Sequence, residues 1–401
     1  MKRVKIIDVR AYVLEQTGCG GDYHDREQGH WLVDTLIATP MSAYPEYKQS
    51  RTSFGINEMK SIVVEIETSD GLVGISAGQG GAPACYIIEQ HFRRFIVGQD
   101  PRNLNRIWDQ MFRASRYYGG KGLPLWAISA VDLALWDLLG LLRQEPVYQM
   151  IGGAVREEIE LYCTGIRPDV AKEAGFIGGK MPLPYGPADR RMGLNANVKQ
   201  FREMRDQVGP DFQLMADCWM SLDVPYAVEL SYALQEIGIY WMEEALHPDD
   251  FDGYKLLKER VPWMRWTSGE HEYTRYGFRK LIEGRSVDIL QPDVMWCGGL
   301  TELLRISAMA AAYDIPVVPH GSGAYSYHFV VTQPHCPFCE YLNTSTDCLS
   351  FPPVFGNMFE NEILPRNGKI KLTDDPGWGL KLNRKDLVLN RVSPASERKG
   401  E

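Results

Sequence analysis

Short apolar runs recur through the second half of the chain, and five of them end on an ionisable residue. Phe212-Gln-Leu-Met-Ala leads into Asp217, Ile239-Tyr-Trp-Met into Glu243, and Met264-Arg-Trp-Thr-Ser-Gly into Glu270. Val287-Asp-Ile-Leu-Gln-Pro leads into Asp293, and Ile315-Pro-Val-Val-Pro into His320. Runs this short read as buried strands. The stretches between them, such as Tyr226 to Ile237 and Thr301 to Tyr313, carry helical patterns. The five polar residues stand 23 to 27 residues apart, about one strand, one helix and a return. Glu158–Thr164, Phe176–Met181 and Phe338–Leu342 add three more strands. Eight strands with seven connections predict an α/β barrel whose last helix is missing or replaced. Polar groups at the C-terminal ends of successive parallel strands share one rim, where α/β barrels place their chemistry.

The first half has a different rhythm. Residues 4–15 read as a strand, and residues 61–78 as a hairpin turning at Asp70-Gly71. Residues 84–97 and 104–115 are short amphipathic helices. Residues 125–142 form a nearly all-apolar helix, expected at a buried junction between two domains. Pro146 stops it, and Ile151-Gly-Gly153 makes a tight turn. Asp132 and Asp137 on this helix are five positions apart and do not share a face. A polar stretch of about residues 16–58 lies between the first strand and the hairpin. Loops of that length are either disordered or functional, and Tyr23, His24, His30 and Trp31 argue for a lid. Arg51 there is suited to clamp a carboxylate. The pattern divides the chain into an α+β capping domain with lid loops (1–150), a barrel (151–345) and an irregular segment (346–401) that returns to complete the capping domain.

A chain of 401 residues has room for about two domains. Its net charge of -9 argues against nucleic acid or an anionic membrane as partner. No run approaches the ~18 apolar residues of a membrane span, and the first residues carry no secretory pattern. The expectation is a cytoplasmic protein whose eight cysteines are reduced thiols. Cys336-Pro-Phe-Cys339 is a lone CxxC. A zinc ribbon needs a second pair, and none is visible.

Three carboxylates on neighbouring strand ends repel unless one takes up a proton or a cation joins them. An all-oxygen set favours a hard ion, and Mg2+ suits a site that also binds substrate oxygens. Separate salt bridges and helix caps along the rim are the alternative. Asp293 and His320 stand on the next two strands, where a carboxylate behind an imidazole fixes its tautomer and raises its basicity. A metal and a base together equip a site to remove a proton next to a carboxylate.

With these motifs the chain resembles the enolase superfamily, mandelate-racemase subgroup, over essentially its whole length. The resemblance implies a modified TIM barrel, (β/α)7β, with an α+β capping domain. By motif it implies Asp217, Glu243 and Glu270 as Mg2+ ligands and Asp293–His320 as a dyad. The superfamily's use of a Lys or His base with Mg2+ is a general property of such enzymes. Many members carry Lys-x-Lys at the end of strand two; here Lys180 is followed by Met181 and Pro182, so the second base is absent. One base cannot readily racemise, but it can eliminate water. Asp22-Tyr-His-Asp25, Gly175–Pro182, Trp296-Cys-Gly-Gly-Leu300 and Val318-Pro-His-Gly-Ser322 closely resemble the L-rhamnonate dehydratase family. That resemblance implies an acid-sugar substrate, contacts from His24 and Arg51 in the lid, a hydrogen bond from Glu340 on strand eight, and a homo-oligomer. Dehydration of L-lyxonate, L-mannonate or a fuconate, or a racemase or cycloisomerase activity, are the alternatives. Lys180, His30 and His271 carry no assigned role at this level.

Overall fold

Alternation of buried and open positions along Ile6–Leu14, with Ile6, Val9, Ala11 and Leu14 buried, makes this stretch (β1) a strand covered on one face. The computed structural model describes residues 4–14, 30–48 and 59–392. Strands β2 (Ser61–Thr68) and β3 (Val73–Gln79) form the expected hairpin, and β1 pairs antiparallel with β2. The barrel strands are β4 (Ile159–Thr164), β5 (Gly178–Pro182), β6 (Gln213–Asp217), β7 (Met242–Glu243), β8 (Trp266–Ser268), β9 (Ile289–Leu290) and β10 (Cys339–Leu342). Two short strands follow, β11 (Lys369–Ile370) and β12 (Leu389–Arg391). The last of these runs antiparallel beside β1, pairing Leu389 with Leu14 and Arg391 with Tyr12. Residues 389–391 therefore add a fourth strand to the capping sheet, beside β1.

The barrel sheet runs β10-β4-β5-β6-β7-β8-β9 in parallel pairs. The seventh barrel position is reduced to two bridging pairs, Leu290 with Val317 and Asp293 with His320. Two prolines in Ile315-Pro-Val-Val-Pro remove the N–H groups that a longer ladder there would use. Tyr162, Met215, Trp241, Ile289, Val318 and Phe338 fill the interior as one apolar cluster, a packed floor rather than a pore.

The apolar helix spans Leu123–Arg143 and is buried between the capping sheet and the barrel helix Gly299–Ala311. Against the expectation that no run approaches a membrane span, it is long and apolar enough to cross a bilayer, but 78% of its apolar window is buried in the fold, as befits a core helix. Gly74 lets β3 lie directly on it, since a Cβ there would meet Ala134 O at 2.4 Å. Asp132 and Asp137 serve different partners. Asp132 accepts from the backbone N–H of Thr301 at 2.9 Å, at the start of the barrel helix. Asp137 accepts from Ile75 N at 2.8 Å and Trp378 N at 3.0 Å. Burial pushes both carboxyls up to about 7.

Trp378 anchors the returning segment. Its indole N–H donates to Leu133 O at 2.9 Å, and its ring meets His328 edge-on at 5.3 Å. His328 is buried and accepts from Tyr148 N through Nδ1 at 3.2 Å, so the fold holds it neutral. Burial lowers its pKa to about 3, against about 6.5 in the unfolded chain. Between those values the unfolded state binds the extra proton, so stability is intact above about pH 6.5 and is lost as pH falls. This residue alone is expected to cost about 1.4 kcal/mol per pH unit across that window. His328→Gln should flatten the acid limb of a urea-midpoint profile taken from pH 7 to pH 4. Parallel profiles for the variant and the parent would refute the assignment.

Candidate active site

Strand register sets the rim. Asp217 and Glu243 are direct partners across β6 and β7, and Glu243 is level with Thr267 of β8, three residues before Glu270. Lys180 pairs with Thr164 and Pro182 with Asp217. Some of the backbone strain lies at the same end. Trp219, Met220, Glu244 and Ser322 hold positive φ between 38° and 64°, an arrangement that persists where surrounding structure over-determines it and that clusters at functional sites.

Two linked groups of side chains result. In the first, the buried Lys180 ammonium reaches Glu243 Oε1, Glu340 Oε1 at 3.0 Å and Asp217 Oδ2 at 3.7 Å. Gln291 Nε2 donates to Glu243 Oε2 at 2.6 Å. Glu340 also accepts from Thr164 Oγ1 and, at 2.7 Å, from Gly321 N. In the second, His320 Nδ1 lies 2.8 Å from Asp293 Oδ2, whose other oxygen accepts from Ser322 Oγ at 2.8 Å and Met295 N at 2.6 Å. With Asp293 so engaged as an acceptor, Nδ1 carries the proton and Nε2 is the nitrogen turned away from Asp293. Glu270 Oε1 stands 3.4 Å from that Nε2, and the backbone N–H of Gly321, next to His320, links the groups through Glu340.

Crowded buried carboxylates shift one another. Burial pushes Glu243 up to about 8 and Glu270 up to about 7, only partly offset by Lys180 and by His320 respectively. Burial also works against the charged form of Glu340, but Lys180 and His320 overcome it and hold that carboxyl at about 2. Burial would lower His320, yet Glu270, then Glu340 and Asp293, carry it well above its ordinary value. The site is therefore rich in negative charge that a divalent cation would offset.

The structure brings together Asp217, Glu243, Glu270, Asp293, His320 and Glu340. His24 and Arg51 lie outside the described residues, as does most of the expected lid. The described part, residues 30–48, docks on the barrel mouth. Trp31 donates from its indole to Asn343 O at 2.9 Å and from its backbone to Thr346 O at 2.8 Å. Ala38 N bonds Leu183 O at 2.8 Å. His30 is buried, accepting from Leu32 N and facing Thr344 O at 3.1 Å, and caps the short helix Trp31–Asp34. Cys336 and Cys339 are buried free thiols.

Sequence reasoning left out a second imidazole–carboxylate pair. His271 Nδ1 is 2.7 Å from Glu244 Oε2, and Glu244 Oε1 accepts from His271 N. Burial lowers His271, but Glu244 and Glu270 outweigh it and raise it to about 9. Among the described residues, Glu244, Glu270 and His271 bring one ligand atom each within 4.8 Å of one another. Asp217, Glu243 and Glu270 do not converge so tightly, because Lys180 lies between the first two. The chemistry of the donors still favours the all-oxygen set for Mg2+, and Glu244 is already satisfied twice by His271. The doublet Glu243-Glu244 and the sequence Glu270-His271 were the available signals.

Residues 34–152 match the mandelate racemase / muconate lactonizing enzyme N-terminal domain, and residues 168–386 match the enolase C-terminal domain-like family. The chain is 54% identical over 381 residues to an L-rhamnonate dehydratase of Saccharopolyspora erythraea, covering 95% of this chain and 97% of that protein. A rhamnonate dehydratase from Gibberella zeae, solved in complex with Mg, superposes with a TM-score of 0.94 at 54% identity over 97% of each chain. A 3,6-anhydro-D-galactonate cycloisomerase from Zobellia galactanivorans superposes with a TM-score of 0.76 at 28% identity, over 94% of this chain and 97% of that one.

Proposed function

Because the chain belongs to the mandelate racemase / muconate lactonizing enzyme family of the enolase superfamily, we propose that it dehydrates L-rhamnonate to 2-keto-3-deoxy-L-rhamnonate with Mg2+ as cofactor. Acid-sugar dehydration is the activity of its relatives at 54% identity over nearly full length. The observation that carries the reading is the Asp293–His320 pair at 2.8 Å, with Nε2 turned to Glu270 among the rim carboxylates.

Asp217, Glu243 and Glu270 would hold Mg2+, which when bound supplies positive charge to the substrate carboxylate as the C2 proton leaves. His320 Nε2 takes that proton while Asp293 keeps Nδ1 protonated and the ring oriented. The imidazolium then gives its proton to the departing 3-hydroxyl, so one residue serves as base and acid on one face and the elimination is syn. The product enol tautomerises to the 2-keto acid. Glu340, an acceptor in the carboxylate form that Lys180 and His320 stabilise, stands near the substrate's carboxylate end, and His24 and Arg51 contact the sugar from the lid. Glu270 is the foremost charge that keeps His320 protonated; neutralising it favours the free base.

Pro182 closes β5 opposite Asp217, where a second base would be needed for racemisation. That favours dehydration over racemase or cycloisomerase chemistry. A screen of acid sugars, reading 2-keto acid formation, tests the proposal. L-Rhamnonate is expected to give the highest kcat/KM. L-Lyxonate, which lacks the terminal methyl, should be turned over about 10–200-fold less efficiently and L-mannonate, which adds a hydroxyl, about 100-fold less; a fuconate, a stereoisomer, should also fall below L-rhamnonate. C2 epimerisation without water loss, or no turnover of any acid sugar, would overturn it.

A further inference from the structure

Trp296 stands where four elements meet. Its indole lies 5.5 Å from the His320 ring at 37° and 5.3 Å from the His271 ring at 49°, so it is flanked by both imidazoles. Its Nε1–H donates to Gln79 Oε1 at 3.1 Å, at the end of capping strand β3. Trp126, on the capping domain's long helix, packs on it at 5.7 Å. The turn that holds Trp296 is the one that starts at Asp293, with Trp296 N bonded to Asp293 O at 3.1 Å. One turn thus presents both the carboxylate at His320 Nδ1 and the aromatic face beside the ring.

The bond to Asp293 fixes one edge of the imidazole but leaves rotation about that axis. The indole, tilted at 37° beside the ring, restricts that rotation and keeps Nε2 turned toward Glu270. The indole itself is held from the capping domain. We infer that Trp296 is a positioning residue that makes the aim of His320 depend on the seating of the capping domain, through Gln79. The inference rests on the assignment of His320 as the base.

The test uses Trp296→Leu, Trp296→Phe, Gln79→Leu and the Trp296→Phe/Gln79→Leu double variant in the full chain. Trp296→Leu is expected to lower kcat about 30–100-fold, the scale of an ångström's misplacement, with KM within about threefold and a larger primary isotope effect on 2-deuterated substrate. Trp296→Phe keeps an aromatic face and should recover most of that loss. Gln79→Leu should match Trp296→Phe, and the double variant should lose no more than either alone, the mark of one shared interaction. Should Trp296→Leu fail to fold, the other three decide the matter. NMR of ring-labelled histidine, with His320 assigned by His320→Asn, needs no substrate: the indole's ring current should displace the His320 ring protons, and Trp296→Leu or Gln79→Leu should change that displacement. The NMR result therefore stands or falls apart from the dehydratase reading. Unchanged His320 resonances in the variants, kcat of Trp296→Leu within threefold of the parent, or a rise in KM alone would overturn the inference.

Discussion

His320→Asn is expected to lower kcat for dehydration by about 10²–10⁴-fold, the usual worth of a positioned acid–base group, and to leave the fold intact. The side-chain amide of Asn can still reach Asp293, 2.8 Å from Nδ1 in the parent. What it cannot supply is a titrating nitrogen at the position of Nε2, 3.4 Å from Glu270. Proton removal and hydroxyl protonation are both assigned to that atom, so the variant should lose C2–deuterium exchange and water loss together. A variant that exchanged C2 deuterium at the parent's rate while failing to eliminate would separate the two roles and break the one-residue mechanism. Full dehydratase activity in His320→Asn would remove His320 from the chemistry altogether. Thermal melting and circular dichroism matching the parent would show that the loss is chemical.

The barrel rim was legible because each βα unit writes its own signal: an apolar run, a polar terminus and a helical stretch. Register then does the rest, setting Asp217 level with Glu243 and Asp293 level with His320. The capping hairpin was legible for the same local reason, with Asp70-Gly71 marking its turn. What local pattern cannot convey is which long side chain crosses the cavity. Lys180 reads as one polar residue in a Gly-rich strand, yet it is buried over the Tyr162 ring and touches three carboxylates from three other strands. Gln291 sits in an ordinary Leu-Gln-Pro run and bonds Glu243 from two strands away. Trp296 looked like part of a motif and turns out to join the capping sheet to the base. The seventh strand shrank to bridging pairs because its prolines cannot donate to a ladder. In each case the decisive contact spans strands or domains, which spacing alone does not encode.

Removing Mg2+ with a chelator is expected to abolish activity, and adding it back should restore it. The more discriminating experiment asks which residues bind the ion. Two sets share Glu270: Asp217 with Glu243, and Glu244 with His271. The first offers oxygen alone, as a hard ion prefers; the second offers a nitrogen and a carboxylate that already bond each other. Outer partners of a metal site typically cost 10–100-fold in affinity when lost, so loss of a direct ligand should cost about 100-fold or more. Asp217→Asn is therefore expected to weaken Mg2+ binding at least about 100-fold by calorimetry, and His271→Asn, which borders Glu270 at 4.0 Å, by no more than about tenfold. Binding also stabilises the folded state, by about 2.7 kcal/mol at a hundred times Kd. A thermal shift with Mg2+ should thus persist in His271→Asn and vanish in Asp217→Asn. The reverse ranking would move the ion to Glu244, Glu270 and His271. His320 faces Glu270 in either arrangement, so the base would survive that outcome while the path by which the substrate carboxylate is held would not.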